Sequence, residues 1–152
     1  MSTYPNPQKR AYEFSKCEID LDGEIFSEGI SNVSHSQPIE EGVAHGAGSP
    51  EPQSRTEGQL SIGSGSLEWS DLGRMQQFID KLGDGWQAKT WNATLTYTAS
   101  GRPDIKRELF DCRLLDDEED HAAGTDPLGS TTPFSFMSRK LNGKKAIATT
   151  PA

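Results

Sequence analysis

Residues 89–99, KTWNATLTYTA, alternate between apolar and polar side chains almost without interruption. The apolar set is Trp91, Ala93, Leu95, Tyr97 and Ala99, and the polar set is Thr90, Asn92, Thr94, Thr96 and Thr98. Successive side chains of a β-strand point to opposite faces, so this period of two predicts a strand. One face of the strand is apolar, and the opposite face is polar and uncharged. The chain must therefore contain a sheet that buries only one of its faces here.

The period changes to three and four between residues 72 and 82, which predicts one α-helix. The apolar stripe of this helix is Leu72, Met75, Ile79 and Leu82, with Phe78 beside it. The residues expected to point outward are Arg74, Gln77, Asp80 and Lys81. Ser70 is the expected N-cap and Gly83 the expected stop. We expect the apolar stripe to pack the helix onto the sheet.

Turn signals mark further strands on both sides of the helix. Asp22-Gly23 predicts a hairpin near the start, and Asn142-Gly143 predicts another near the end, with a last strand running through Ile147. Residues 105–115 predict a strand with Phe110, Cys112 and Leu114 on a common face. A strand from Phe134 to Leu141 and a short one at 59–62, followed by a Gly63-Ser64-Gly65 turn, complete the pattern.

The segment 34–58 holds three prolines and four glycines with almost no apolar periodicity, which predicts one long loop. Structureless loops of this length are uncommon inside compact domains and are usually functional. Residues 1–12, with Pro5 and Pro7, predict an extended arm without a core of its own. Residues 13–152 then form one domain, since 152 residues suit a single core.

Composition and motifs exclude several functional classes. The net charge of −8 repels phosphate, which disfavours specific nucleic-acid binding. The sequence contains no phosphate-binding loop, nucleophile elbow or paired-histidine metal motif, so we expect neither enzyme activity nor a cofactor or metal. Cys17 and Cys112 lack a nearby partner, which favours reduced, packed thiols. The chain also shows no secretory leader or membrane span, so we expect it to be made in a cytoplasm.

The order of elements resembles the tail tube fold shared by long-tailed bacteriophages and the tubes of type VI secretion systems. That order is a hairpin, a long Gly/Pro loop, a strand, one helix and three or four strands. The segment Ala44-His45-Gly46-Ala47-Gly48-Ser49-Pro50, followed by Arg55-Thr56-Glu57-Gly58, also resembles the glycine-rich stretch that phage tube subunits carry before their third strand. The resemblance covers residues 13–149 as a topology and about fifteen residues as sequence.

The resemblance implies a mainly β subunit with one helix, a β-sandwich or barrel whose strands join a hexameric ring barrel. Rings would stack into a channel that delivers DNA into a host without binding it specifically. The implied partners are further copies of the chain and the sheath, tape measure, baseplate and tail terminator proteins, in a virion and without a membrane. The compact single-domain length favours a contractile tail. A secretion-system tube subunit and a soluble β-rich ligand-binding module remain as alternatives.

Three sets of residues become candidates under this interpretation. The predicted lumen face is Thr90, Asn92, Thr94, Thr96 and Thr98, and the alternative is an ordinary solvent face. The predicted inter-ring loop uses Ile39, Gly42, Val43, Gly46 and Gly48. The predicted charged contacts between subunits join Asp116, Asp117, Glu118, Glu119 and Asp120 to Arg139, Lys140, Lys144 and Lys145. The acidic run also offers oxygen ligands for Ca²⁺ or Mg²⁺, but without EF-hand spacing a solvated charge run is the favoured interpretation.

Overall fold

The computed structural model describes residues 11–45, 47–48, 51–55 and 58–147. This part of the chain is mainly β, with one α-helix, α1, at Leu72–Leu82. The strands are β1 (Cys17–Leu21), β2 (Glu24–Ile25), β3 (Ile30–Ser36), β4 (Ile39–Glu40), β5 (Val43–His45), β6 (Pro52–Arg55), β7 (Gln59–Leu60), β8 (Gly63–Trp69), β9 (Trp91–Tyr97), β10 (Ile105–Leu114), β11 (Ser130–Phe136), β12 (Ser138–Leu141) and β13 (Lys144–Lys145). All pairings between them are antiparallel. The expected class, β with one helix, is confirmed, although the described strands do not close into a barrel within one chain.

Two sheets share the long strand β10. Sheet A has the order β2-β1-β9-β10-β12-β13, and sheet B has the order β10-β11-β8-β3. Residues 105–110 of β10 pair with β9 or β12, whereas Arg113 and Leu114 pair with β11. β10 therefore leaves sheet A and enters sheet B along its own length.

A bulge in β10 corrects one predicted face. The register with β9 shifts between Leu109 and Cys112, and Asp111 between them has a φ of 53°. The extra residue turns Leu109 inward together with Cys112, while Phe110 becomes half-exposed on the other side. The expectation that Phe110 shares a face with Cys112 and Leu114 is therefore wrong.

The strand expected from Phe134 to Leu141 is two strands. It breaks at Met137, whose backbone N–H donates to the carbonyl of Phe110 at 3.1 Å. Before the break, β11 pairs with β8 in sheet B, and after it β12 pairs with β10 in sheet A. The chain crosses between the sheets here because each half finds a different neighbour.

Both sheets and α1 contribute to one core, in which aromatic rings join the layers. The ring of Phe78 on α1 lies 6.1 Å from Trp69 of sheet B and 5.1 Å from Trp91 of sheet A, measured between centroids. Phe26 contacts Phe78 at 5.4 Å from the β2–β3 connection. The helix thus covers the side where the two sheets meet. With eleven residues it is also too short for a bilayer, and the described part of the chain holds no longer apolar helix.

The helix faces match the predicted stripe, with one correction at the cap and one on the outward face. Met75, Phe78, Ile79 and Leu82 are buried, and Leu72 is partly buried and packs against the core. Asp71, and not Ser70, is the N-cap, because its carboxylate accepts hydrogen bonds from the N–H groups of Gly73 and Arg74. Arg74 does not extend into solvent: its guanidinium lies 4.7 Å from the Phe26 ring and donates to the carbonyl of Ile25 at 2.6 Å.

Both predicted two-residue turns are confirmed. Asp22 and Gly23 have φ angles of 55° and 91° between β1 and β2, and Asn142 and Gly143 have 53° and 77° between β12 and β13. These positive angles are those of the hairpin turns that Asn-Gly and Asp-Gly favour. The last strand is shorter than expected, since it ends at Lys145 and not at Ile147.

The predicted turn Gly63-Ser64-Gly65 is instead the first part of β8. A Cβ on Gly63 would lie 2.3 Å from the Phe136 ring, and one on Gly65 would lie 2.1 Å from the carbonyl oxygen of Ser34. The two glycines are needed for close packing in a sheet and not for a change of chain direction.

In the predicted loop 34–58, most of the residues that the structure describes are in strands. β3 continues to Ser36, and then β4 pairs with β7 and β5 pairs with β6, so the chain runs out and back as a narrow ribbon. We call residues 39–60 the hairpin arm. The sequence does not indicate these strands, because the residues of the arm do not alternate between apolar and polar side chains.

The expected N-terminal arm, residues 1–12, lies largely outside the described residues. Its end is attached to the domain. The hydroxyl of Tyr12 donates to the carbonyl of Pro103 at 2.5 Å, and the Arg102 guanidinium lies 5.8 Å from the Tyr12 ring. The chain therefore enters the fold against the turn between β9 and β10.

Candidate functional site

The face of sheet A opposite the core is polar and open. Asn92, Thr94 and Thr96 point out of this face from β9, while Trp91, Ala93 and Leu95 are buried on the other side. Thr90 and Thr98 lie just beyond the strand ends and are exposed. The predicted polar face is therefore confirmed as a face of the sheet, while its place in a lumen stays a prediction.

Charged side chains flank the threonines on this face. Residues paired directly across strands share a face. Thr96 pairs with Glu18 on β1 and with Lys106 on β10, whereas Thr94 pairs with Asp20 and Glu108. The face is thus uncharged along β9 but of mixed charge as a whole. The sequence of β9 alone could not show this, because its neighbours come from segments about 75 residues before and ten residues after it.

The hairpin arm begins at a fixed base. Gln37 is buried there, and its Nε2 donates to the carbonyls of Ser61 at 3.1 Å and Met137 at 2.8 Å. Next along the arm, Ile39 pairs with Leu60 and lies across Gly58, where a Cβ would meet the Ile39 side chain at 2.8 Å. The base of the arm is therefore tied to Met137, where the chain crosses from β11 to β12.

The residues predicted to make inter-ring contacts are distributed along this arm. Ile39 is 44% exposed on β4, and Gly42 follows between β4 and β5. Val43 begins β5, and Gly48 lies in the turn with a φ of 73°. Gly46 lies outside the described residues. The structure thus places these positions on one projecting element, with Ile39 near its base.

The two predicted charge clusters lie at different ends of β11. The acidic run 116–120 is beside Ser130, because Glu118 forms a bridge with Thr131. Arg139 and Lys140 follow the opposite end of β11, after Phe136. Six residue steps of strand separate these ends, roughly 20 Å at about 3.3 Å per residue. The structure therefore does not bring the clusters together within one molecule.

We call the end of β11 at Ser130, beside residues 116–120, the acidic end. Carboxylates there surround a shallow recess. Glu68 joins residues 117–120 in lining it, together with Ser31 and Thr131. Burial, then the neighbouring carboxylate of Glu119, raises the pKa of Asp117. His121 approaches Glu119 at 3.5 Å. Among the described residues, no three His, Cys, Asp or Glu side chains are grouped as metal ligands.

We call the opposite end of β11, which Arg139 and Lys140 follow, the basic end. His35 lies there among positively charged side chains. Its Nδ1 lies 2.7 Å from Arg139 Nη1, so the guanidinium donates and the imidazole accepts. Burial lowers the pKa of His35, and Arg139 and Arg107 lower it further. His35 also stands edge-on to the Phe136 ring, with centroids 6.5 Å apart. His35 falls within the predicted loop 34–58, but the structure places it on β3, where its contact with Arg139 joins β3 to β12 across the two sheets.

A second feature at the basic end has no signal in the sequence. Leu60 from the hairpin arm, Phe110 from β10 and Ile147 beyond β13 form the walls of a recess of about 170 Å³. Arg139 and Lys140 stand at its rim. Three segments distant along the chain build it, and the exposure of Phe110 depends on the β10 bulge.

The two cysteines of the chain are structural thiols. Cys17 and Cys112 are both free and buried. Burial raises the pKa of Cys112 to about 12, so the thiolate needed for nucleophilic chemistry is strongly disfavoured there.

The sequence matches no protein-family model and no curated protein.

Proposed function

We propose that this chain is a structural subunit of a bacteriophage tail tube, and that its copies assemble into stacked rings around a channel for DNA. The observation that carries this proposal is the one-sided sheet A. Its inner face packs against the core that α1 covers, and its outer face is an open row of Asn92, Thr94 and Thr96. The uncharged row along β9 suits a channel wall because it is wetted by water without binding phosphate. Of the charged residues paired beside it, three are acidic, Glu18, Asp20 and Glu108, against the single cation Lys106.

The edges of the sheets support assembly. On the far side from β8, β3 is paired with no other described strand, and β2 covers only Asp20 and Leu21 of β1. Open edges invite pairing with further chains, and closure of several subunits into one barrel would remove them. A hexameric ring with strands contributed by each subunit is the arrangement that the tail tube resemblance implies.

The hairpin arm supports stacking of rings. A ribbon whose two ladders have two and three residue pairs is marginal by itself in water. Its base is held by Gln37, whereas in its outer half β5 pairs with no described strand other than β6. A neighbouring ring would supply the surface that the outer half lacks.

Negative-stain electron microscopy of the purified protein tests the proposal. We expect rods with an axial channel that become longer as protein concentration rises, because the contacts are between identical copies. A protein that stays monomeric at every concentration and ionic strength would contradict the proposal and favour a soluble ligand-binding module. A secretion-system tube would also give rods, and the genetic neighbourhood would distinguish it from a phage tail.

A further inference from the structure

The recess at the basic end, which we call the Phe110 recess, combines apolar walls with a cationic rim. Its walls are Leu60, Phe110, Ala146 and Ile147, and its rim carries Arg139 and Lys140. Lys140 Nζ lies 5.6 Å from the Phe110 ring centroid and forms no ion pair with a described residue. Arg139 contacts His35 and likewise meets no described carboxylate. The recess therefore fits an apolar side chain that is flanked by carboxylates.

The chain itself carries such a segment. Leu115 is 47% exposed and is followed directly by the acidic run 116–120. Its backbone is fixed on both sides, since its N–H donates to the carbonyl of Pro133 at 2.8 Å and its carbonyl accepts from Gln87 Nε2 at 2.7 Å. The bridge between Glu118 and Thr131 holds the acidic residues beside it. An exposed leucine on an ordered segment loses little conformational entropy on docking.

The two surfaces cannot meet within one molecule. Phe110 and Leu115 are five residues apart on an extended strand, roughly 17 Å at about 3.3 Å per residue. β10 holds both ends of this stretch in the sheets. The complementary partner of each surface is therefore on another copy.

We propose that the Phe110 recess of one subunit receives Leu115 and the acidic run 116–120 of a second copy. Because the two surfaces differ, each contact leaves one of each kind open, so the association continues into a ring or a stack. The inference rests on the proposed function, in that it needs a self-assembling subunit, and it goes further by naming the two surfaces that meet.

Charge reversal at each surface tests the contact. In one variant Lys140→Glu and Lys145→Glu change the recess, and in the other Glu118→Lys and Asp120→Lys change the acidic run. Each variant alone should associate about tenfold more weakly than the unchanged protein at low ionic strength. Equal amounts of the two variants mixed should recover association, since the reversed charges complement each other. Sedimentation velocity gives the readout.

Two further variants separate charge from apolar contact and control for folding. Lys16→Glu reverses one charge at an exposed lysine that does not line the recess, and should leave association unchanged. Leu115→Ala should weaken association about tenfold at both low and high salt, because its effect is not electrostatic. Circular dichroism and urea midpoints confirm that each variant is folded.

The outcomes distinguish this contact from the proposed function. If the mixture associates no better than its two components, or if Lys16→Glu is as harmful as the recess variant, the assigned contact is wrong while self-assembly stands. If the unchanged protein shows no association under any condition, the proposed function itself fails.

Discussion

At the scale of single residues, the absence of a side chain matters as much as its presence. Gly63 and Gly65 let the rings of Phe136 and Phe134 lie against β8, and Gly65 also lets β3 approach through the carbonyl of Ser34. Glycine costs strand stability by itself, so its position here is explained by close approach and not by propensity.

Gly65→Ala should therefore destabilise the fold, because the new methyl group would meet the Ser34 carbonyl oxygen at 2.1 Å and the Phe134 ring at 2.8 Å. We expect a loss of about 1 to 3 kcal/mol in unfolding free energy from urea denaturation. Gly124→Ala is the matched control, since a Cβ there meets no atom within 4 Å. Equal unfolding midpoints for the two variants would show that β3 can move away without cost.

His35 predicts a pH dependence of stability. Its pKa in the folded protein is lowered from 6.5 by burial and by Arg139 and Arg107, so the unfolded chain binds the proton more tightly. The stabilisation is fully present above pH 6.5 and is lost as pH falls through the folded pKa. Urea midpoints should fall between about pH 7 and about pH 5. His35→Gln should flatten this change, whereas His121→Gln should keep it; a slope unaltered by His35→Gln would contradict the assignment.

At the scale of elements, the sequence predicts those that bury one regular face. The alternation in β9 and the stripe of α1 are visible because each packs one side against the core. The two turns with positive φ are visible because few residues adopt that backbone. The β10 bulge was hidden, since Asp111 is an ordinary residue at an unusual angle. The strand break at Met137 has no signal in the sequence, because the residues on both sides of it have the pattern of a strand. The two halves differ only in the strands with which they pair.

The candidate site divides in the same way. The polar residues of β9 were predictable from their own alternation, but the charges beside them depend on strand register. The length of residues 34–58 predicts a functional segment, and their composition predicts a loop. The loop is wrong, because the arm is formed by paired strands, whereas the functional role stays a prediction. The Phe110 recess depends on three distant segments, so no local pattern indicates it.

The hairpin arm leads to a test of stacking. Replacement of residues 43–55 by a short Gly-Ser link removes β5 and β6 but leaves the β4–β7 pair and Gln37 in place. We expect a folded subunit with a nearly unchanged urea midpoint, since Phe26, Phe78 and Trp91, whose rings join the layers of the core, stay in place. Electron microscopy should show single rings or short stacks in place of long rods. Long rods from this variant would show that the arm is dispensable for stacking.

At the scale of the whole molecule, the fold has two exposed faces on different sides of one core. Sheet A presents its polar face on one side of the core, and the exposed side of α1 lies on the other. In a tube with the proposed orientation, the threonines would face the channel and the helix would face a surrounding sheath.

Thr94→Cys measures this orientation, because the natural cysteines are buried and should react slowly. In assembled rods, the new thiol should react with a small maleimide but resist one carried on a large polymer. Gln76→Cys, on the exposed face of α1, should react with both. In dissociated subunits both positions should react with both reagents. If the large reagent labels Thr94→Cys equally well in rods, the channel face must be another surface.

The order in which strands pair also sets when a newly made chain can become a subunit. β1 is synthesised first but pairs with β9, whose residues emerge some seventy positions later, and β9 and β12 then both depend on β10. Such distant pairings are slow to form, because closing a long loop costs conformational entropy before the new contacts stabilise the fold. Sheet A thus stays incomplete on the ribosome until nearly the whole domain has been translated. A truncated chain would lack the wall that rings require, so growing tubes would incorporate finished subunits and leave fragments out.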